Sequence, residues 1–407
     1  VSLWQIERLG RRGDGVALGD AGKALAPLTL PGEEIEGTAS DGVIAAARIL
    51  TPSPERVRPA CRHYRSCGGC SLMHGADGFV TAWKEQVVTT ALAAQGLSAS
   101  ICATHVSPPR SRRRAVLSGR RTKKGAQIGF HMKASNVIVD LTDCHVLDPR
   151  IQTALPLLRE IVRIGASRSA ELSLTVIAGP AGLDVAVRGG KTMDSMLFQD
   201  LAALAERGDL ARLDWDGQPV TRRTPYLQMG AARVPYPAGA FLQATIDGEA
   251  ALQQAVAKIT APAKRIADLF SGCGTFTLPL AAGADIHAVE GLAAPLEALD
   301  RAWRGSTGLR RITTEIRDLA RNPLLPDELA RFDAIVIDPP RSGAEAQCRQ
   351  IAQSSVEHIA FVACDPVSFA RDARILADGG YRLNRLWIVD QFRWSPHVET
   401  VTEFLRN

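Results

Sequence analysis

From Gln253 onward, apolar strand-like runs alternate with helical stretches without a break. The runs are RIADLF, DIHAVE, RRITTEI, FDAIVID, HIAFVAC and RLNRLWIVD, and HVETVTEFL follows them as an antiparallel edge strand. Few folds accept such a pattern. Each helix must cross a sheet face between two parallel strands, which predicts an α/β, doubly wound, Rossmann-like domain at the C-terminal end. In sheets of this kind ligands meet the carboxyl ends of the strands, so the residues closing each run become the candidates for chemistry.

The first run closes in DLFSGCGTF, which supplies Asp268, Phe270, Gly272, Gly274 and Thr275. Its glycines let the loop approach a ligand closely before the next helix begins. A Gly-rich turn alone does not separate a nucleotide from S-adenosylmethionine. Glu290, closing the second run, adds a carboxylate able to accept from both ribose hydroxyls. Asp318, after the third run, is either an adenine-side contact or a surface residue, and the absence of a P-loop GK[ST] disfavours phosphoryl transfer. The fourth run ends in DPPRSG, where Pro339 and Pro340 stiffen the lip of the sheet behind Asp338. Arg341 stands where adenine amino-methylating enzymes carry an aromatic, and the turn lacks the cysteine of RNA cytosine-5 enzymes. The fifth run ends in Cys364, before Asp365 and the helix-initiating Pro366, where a helix N-terminus favours thiolate. With the acidic HVETV downstream, these pieces compose a nucleophile, a methyl-donor pocket and a base.

The N-terminal half reads differently. Glycines 13, 15, 19, 22, 32 and 42 punctuate the first fifty residues at hairpin intervals, predicting a small β-barrel that serves either RNA binding or plain packing. Pro52, Pro54 and Pro59 lead into Cys61, Cys67 and Cys70 in C-x5-C-x2-C spacing. Three thiolates need a fourth ligand for a closed zinc or iron–sulfur site; Cys144 is the candidate, with His63, His74 and His145 as alternatives. Arg110, Arg112, Arg113, Arg114, Arg120, Arg121, Lys123 and Lys124 gather on a predicted hairpin that reads as a phosphate-contacting ribbon. The 407 residues, 46% hydrophobic and 22% charged, fit a soluble chain of two or three domains, and the net charge of +5 matters less than its distribution. No apolar run reaches membrane length and no signal-peptide core opens the chain, so a cytoplasmic location with no membrane contact is expected, with the eight cysteines serving metal or catalysis.

Taken together, these motifs resemble the RNA uracil-5-methyltransferase family, most closely its bacterial 23S ribosomal RNA members, over nearly the whole length. The first fifty residues resemble a TRAM domain, an OB-like RNA-binding barrel, and the FLQ at Phe241 to Gln243 resembles a motif whose glutamine lies in the active site. The resemblance implies a TRAM-like barrel over 1–52, a mixed α+β central domain over 53–240 holding a 4Fe–4S site (zinc being the alternative) on Cys61, Cys67, Cys70 and Cys144, and a class I methyltransferase domain over 241–407. It further implies S-adenosylmethionine as cofactor, Cys364 as nucleophile, Glu399 as the proton-abstracting base, and Gln243 with Asp338 as positioners of donor and uracil. RNA, foremost 23S rRNA, is then the partner, and no obligate protein partner is inferred. A tRNA substrate is the alternative within the family, disfavoured because tRNA members generally lack both barrel and cluster. A non-catalytic iron–sulfur RNA-binding protein is the alternative outside it. Three positions depart from the family pattern: Asp365 in place of asparagine, Thr245 in place of asparagine, and FRWSPHVE leading to the base.

Overall fold

The computed structural model describes residues 2–20 and 22–406. Its largest sheet has eight strands in the order Ile312–Ile316, Asp285–Glu290, Arg265–Leu269, Ala334–Ile337, His358–Ala363, Glu399–Arg406, Tyr381–Asp390, Ser100–Val106. The first five are parallel to one another. Strand order reverses between Arg265–Leu269 and Ala334–Ile337, the place where an α/β sheet opens a crevice at its carboxyl edge. Asp268 and Asp338 both lie at that edge.

The HVETV strand corrects its sequence expectation. Glu399–Arg406 is antiparallel, but it is not an edge: it lies between His358–Ala363 and Tyr381–Asp390. Every residue from Glu399 to Phe404 is buried, as a strand covered on both faces must be. The true edge is Ser100–Val106, which pairs in parallel with Tyr381–Asp390 from far upstream in the sequence.

Helices cover both faces. Ile246–Thr260 and Ala293–Arg304 bury Leu252, Val256, Leu296 and Leu299 on one side. Asp77–Ala93, Glu345–Ile351 and Pro366–Asp378 bury Val88, Leu92, Ile351, Phe369 and Leu376 on the other. The helix Pro366–Asp378 shows why the sequence folds this way. Asp365 caps it by accepting the Val367 and Ser368 N–H groups at 3.0 and 3.1 Å, Pro366 sets the first turn, and Gly379 follows the last. Phe369, Ala370, Ala373 and Leu376 then share the inward stripe, and the Phe369 ring meets Phe361 edge-on at 5.4 Å. Truncating Phe369 to alanine would cost about 3–5 kcal/mol by opening that contact.

Three further sheets accompany the eight-stranded one, one of them only the two-stranded hairpin Tyr226–Met229 with Ala232–Pro235. A five-stranded antiparallel sheet runs Gly22–Ala26, Gly15–Gly19, Ser2–Leu9, Glu34–Gly37, Arg48–Thr51, around a small core of Trp4, Ile6, Ile35 and Ile44. A six-stranded sheet runs Gln218–Thr221, Arg212–Trp215, Gly182–Arg188, Glu171–Gly179, Arg114–Arg121, Ala126–Gly129, backed by helices Pro149–Gly165 and Ser195–Arg207. No helix among the described residues is long and apolar enough to cross a membrane.

The basic segment also corrects its expectation in part. A hairpin does form at Arg114–Arg121 and Ala126–Gly129, but most of the arginines are spent inside the protein. Arg113 is buried, donating to Glu249 at 2.6 Å and to the Gln243 carbonyl at 3.1 Å. Arg114 donates to the Ala240 carbonyl, Arg120 to Glu171, and Arg110 lies against Asp143. Lys123 and Lys124 at the turn are exposed, as are Arg110 and Arg120, which face Asp143 and Glu171. Alternation within the strand sends neighbouring arginines to opposite sides, which a count of charges does not reveal. Replacing Arg113 by glutamate should therefore destabilise the fold by about 3–5 kcal/mol, since it opposes two buried carboxylates, whereas Lys123→Glu with Lys124→Glu should leave the melting temperature unchanged. Thermal denaturation of both variants decides between an internal and a solvent-facing Arg113.

Candidate active site

The reactive thiol and its acid partner meet because of strand register. Antiparallel pairing runs Val362↔Val401 and Ala363↔Thr400, so Cys364 continues the strand opposite Glu399. Cys364 also lines a small crevice with Pro339 and Pro340, which brings DPPRSG against it. Glu399 is 4% exposed, and its Oε2 is buried with no hydrogen-bond partner. Such an oxygen is free to accept a proton from a ligand.

Electrostatics tie the lip of the sheet together. Burial, then the Glu399 and Asp338 charges, push the Cys364 thiol up to about 11, with Arg341 opposing them. Burial and Asp338 lift Glu399 to about 8, against a hydrogen bond from Gln391. Burial and Asp268 lift Asp338 to about 7. Asp268 is itself lifted to about 7 by burial, despite the Thr277 hydroxyl that donates to it at 2.5 Å, and Glu290 adds to the rise. Four carboxyl groups thus crowd one edge, and in Glu399, Asp338 and Asp268 burial first, and then a neighbouring acid, disfavours ionisation. A cation bound among them would relieve those three. The sulfonium of S-adenosylmethionine is such a cation, so the donor set fits that cofactor.

The loop that would hold it is built for close approach. Phe270, Gly272 and Gly274 have positive φ, and a Cβ on Gly274 would lie 2.5 Å from Leu299. Glu290 accepts the N–H groups of Gly272 and Leu292, both at 3.1 Å, fixing this loop against the next strand. Asp268 Oδ1 and Ser271 Oγ are buried without partners, as in a pocket shaped for a polar ligand. The Thr275 carbonyl accepts from Gln253 at the back of the loop. Asp318 lies apart: it is 57% exposed, accepts from Ala320 within its own turn and faces Arg321 at 3.6 Å.

Gln243 is buried, with its side-chain oxygen accepting from the Gln391 amide. Gln391 Oε1 in turn accepts the Ala244 N–H at 2.7 Å. Gln391 therefore joins the FLQ segment to the base, a role for which sequence reading had no signal beyond a polar pair, Asp390–Gln391, ending the apolar WIVD run. Behind it lies a buried ion pair: Lys84 Nζ is 2.6 Å from Asp390 and donates to the Phe392 carbonyl at 3.2 Å. The three departures from the family pattern also acquire local reasons. Asp365 is a helix cap whose second oxygen lies 3.8 Å from Arg11, and it is not among the main contributors to the Cys364 shift. Thr245 caps Ile246–Thr260 through the Gly248 N–H at 3.0 Å. In FRWSP, the Trp394 carbonyl accepts the N–H groups of Ser71 and Leu72 at 2.8 and 2.9 Å, anchoring the cysteine segment to the approach of the base.

That segment forms a second candidate site. Cys61, Cys67, Cys70 and Cys144 line one cavity of about 50 Å³, walled by Tyr64, Met73 and Phe130. All four are free thiols, and Cys102, Cys273 and Cys348 lie elsewhere. Among the described residues no three Cys, His, Asp or Glu groups converge as ligands of a single metal ion; the thiols surround a space. Two of the alternative histidines are engaged otherwise: His74 meets Tyr64 Oη and the Thr29 carbonyl, and His63 meets Thr142. His145 lines the cavity but places Nε2 3.1 Å from Asp143.

The pH dependence of stability follows from the buried base. Because the folded pKa of Glu399, about 8, exceeds its ordinary 4.5, its contribution is fully present below about 4.5 and lost as pH rises through about 8. Glu399→Gln, which cannot ionise, should melt near wild type at about pH 5 and several degrees above it at about pH 9; an unchanged difference at both would place Glu399 in contact with water.

Comparison with known proteins sharpens the identification. A family model described as tRNA (Uracil-5-)-methyltransferase matches residues 308–406. A protein of Brucella suis named an uncharacterized RNA methyltransferase is 41% identical over 397 residues, covering 97% of this chain and 96% of its own. The 23S rRNA (uracil(1939)-C(5))-methyltransferase of Chromohalobacter salexigens is 33% identical, covering 99% of this chain and 89% of its own. Among solved structures, the tRNA (uracil-54, C5)-methyltransferase of Pyrococcus abyssi with S-adenosyl-L-homocysteine superposes with a TM-score of 0.77 at 21% identity, covering 99% of both chains. That likeness carries the S-adenosylmethionine-type methyltransferase fold, and it corrects one expectation, because a tRNA enzyme here shares the full-length architecture. By its motifs, its fold and these relatives, the chain belongs to the RNA uracil-5-methyltransferase family and is an S-adenosylmethionine-dependent RNA methyltransferase.

Proposed function

We propose that this enzyme methylates carbon-5 of a uridine in 23S rRNA through a covalent adduct between Cys364 and carbon-6 of the base. The observation that carries the reading is the pairing of Cys364 with Glu399 across two antiparallel strands, beside the donor loop. Carbon-5 of uracil is too weak a nucleophile to take a methyl group unaided. In this scheme the Cys364 thiolate bonds to carbon-6, and the electron pair of the 5,6 double bond passes to the carbon-4 oxygen as an enolate. S-adenosylmethionine would be held by Asp268, Phe270, Gly272, Gly274, Thr275 and Glu290 and would supply the methyl group to carbon-5, its sulfur–methyl bond breaking to leave neutral S-adenosylhomocysteine. Glu399 then removes the carbon-5 proton, the carbon–sulfur bond breaks and the thiolate leaves. A bound cation beside the four carboxylates favours the ionised base. Gln391 and Gln243 hold the base in line, while Asp338 faces the thiol from the next lip.

Preference for ribosomal RNA is supported by the 33%-identical relative and no longer by domain content. The N-terminal sheet over 1–52 is assigned to RNA as a TRAM-like barrel, the segment 53–240 to the cysteine site and 241–407 to methyl transfer. Within the central segment, a cavity surrounded by four thiols suits a 4Fe–4S cluster, which is wider than a zinc ion.

Two measurements test these assignments. On a denaturing gel with labelled RNA, Glu399→Gln should give a protein–RNA complex that requires S-adenosylmethionine and vanishes in the Cys364→Ala, Glu399→Gln double variant. Full turnover by Glu399→Gln would assign the base elsewhere, and trapping of tRNA in preference to 23S rRNA would transfer the substrate. Anaerobically purified protein should carry iron and sulfide, lost on Cys67→Ser or Cys144→Ser; stoichiometric zinc in their place would refute the cluster and keep the thiolate site.

A further inference from the structure

The cysteine cavity and the base share one side chain. Arg112 lines the cavity with Cys70 and Cys144, and its guanidinium carbon lies 5.5 Å from the centre of the Phe392 ring. Its backbone is fixed to the Cys144 segment: it donates to the Val146 carbonyl at 3.0 Å and accepts from Asp148 at 2.9 Å. The arginines on either side of it have carboxylate partners, Arg110 with Asp143 and Arg113 with Glu249. Arg112 instead keeps Nε buried with no hydrogen-bond partner. A half-buried guanidinium with a sealed Nε and no carboxylate is costly unless an anion faces it, and the thiols of Cys70 and Cys144 are the groups that favour its charge.

On its other side the guanidinium meets the segment that leads to the base. Phe392 follows Gln391, whose amide joins Gln243 and lowers the pKa of Glu399. Lys84 and Asp390 clamp its backbone, and Trp394, two residues on, accepts from Ser71 and Leu72 beside Cys70. We propose that Arg112 is a positioning residue: it is the counter-cation of the anionic group held by the four cysteines, and it transmits occupancy of that site, through the Phe392 ring, to the placement of the base segment. This rests on reading the cysteines as a ligand set. An occupied, negatively charged site draws the guanidinium flat beneath the Phe392 ring, while an empty one leaves it without an anion.

The test compares full-length wild type, Arg112→Met, Arg112→Lys and Phe392→Leu. Release of bound iron or zinc to a chelator is followed alongside kcat and KM for RNA. Arg112→Met should release metal about tenfold faster and lose about tenfold in kcat at unchanged KM. Arg112→Lys keeps a cation but not the planar stacking group, so metal release should stay near wild type while kcat falls. Phe392→Leu should behave like Arg112→Lys. Metal release unaltered in Arg112→Met, or a rise in KM alone, would overturn the inference and leave a phosphate contact in its place. Wild-type protein holding neither iron nor zinc would instead overturn the ligand-set reading on which it stands.

Discussion

The active site depends on one insertion in the sheet. Placing Glu399–Arg406 antiparallel between His358–Ala363 and Tyr381–Asp390 sets the first residue of one strand beside the residue that follows the other. Chain direction alone then brings Cys364 and Glu399 together, with no loop needed to fold over. The arrangement tolerates little error, because a one-residue slip would turn Glu399 to the opposite face. The register is held by burial along Glu399 to Phe404 and by Glu403, which accepts from Arg385 at 2.7 and 2.8 Å.

That geometry has an electrostatic consequence. Glu399, Asp338, Asp268 and Glu290 follow one another along the carboxyl edge, and the cation that opposes their effect on the thiol is Arg341. Burial, and after it the neighbouring acids, holds Glu399, Asp338, Asp268 and the Cys364 thiol towards their protonated forms. A cationic donor bound at this edge would oppose that bias and favour the ionised forms.

Much of this was legible in the residues. Strand–helix alternation, the Gly-rich turn, DPPRSG and the Cys364 strand end are local patterns, and each lies where the pattern implies. What escaped is non-local. Insertion of the last strand between His358–Ala363 and Tyr381–Asp390 departs from chain order, which is why HVETV reads as an edge, and the true edge, Ser100–Val106, comes from far upstream. Arg113 was counted as surface charge because its partner, Glu249, lies in another segment. Gln391 carries no motif, since its function comes from touching Gln243. Conversely, Asp365 and Thr245 look like losses beside the family pattern but serve as helix caps, where aspartate, threonine and asparagine accept the same N–H groups.

Substrate choice is the property that the shared fold carries least. A tRNA enzyme superposes over 99% of this chain, so the shared fold leaves the choice of RNA open. Discrimination must then come from surfaces that vary on a common frame, chiefly exposed cations and apolar walls. One groove fits that description: about 700 Å³, bordered by Arg8 and Arg11 of the N-terminal segment, by Trp83 and Val87, and by Pro366 and Val367 at the start of the helix that follows Cys364. One wall of this groove belongs to the N-terminal sheet and another adjoins the nucleophile. Arg11 of the N-terminal segment lies 3.8 Å from Asp365, the cap of the helix that follows Cys364, so that segment and the Cys364 strand end are joined by an ion pair.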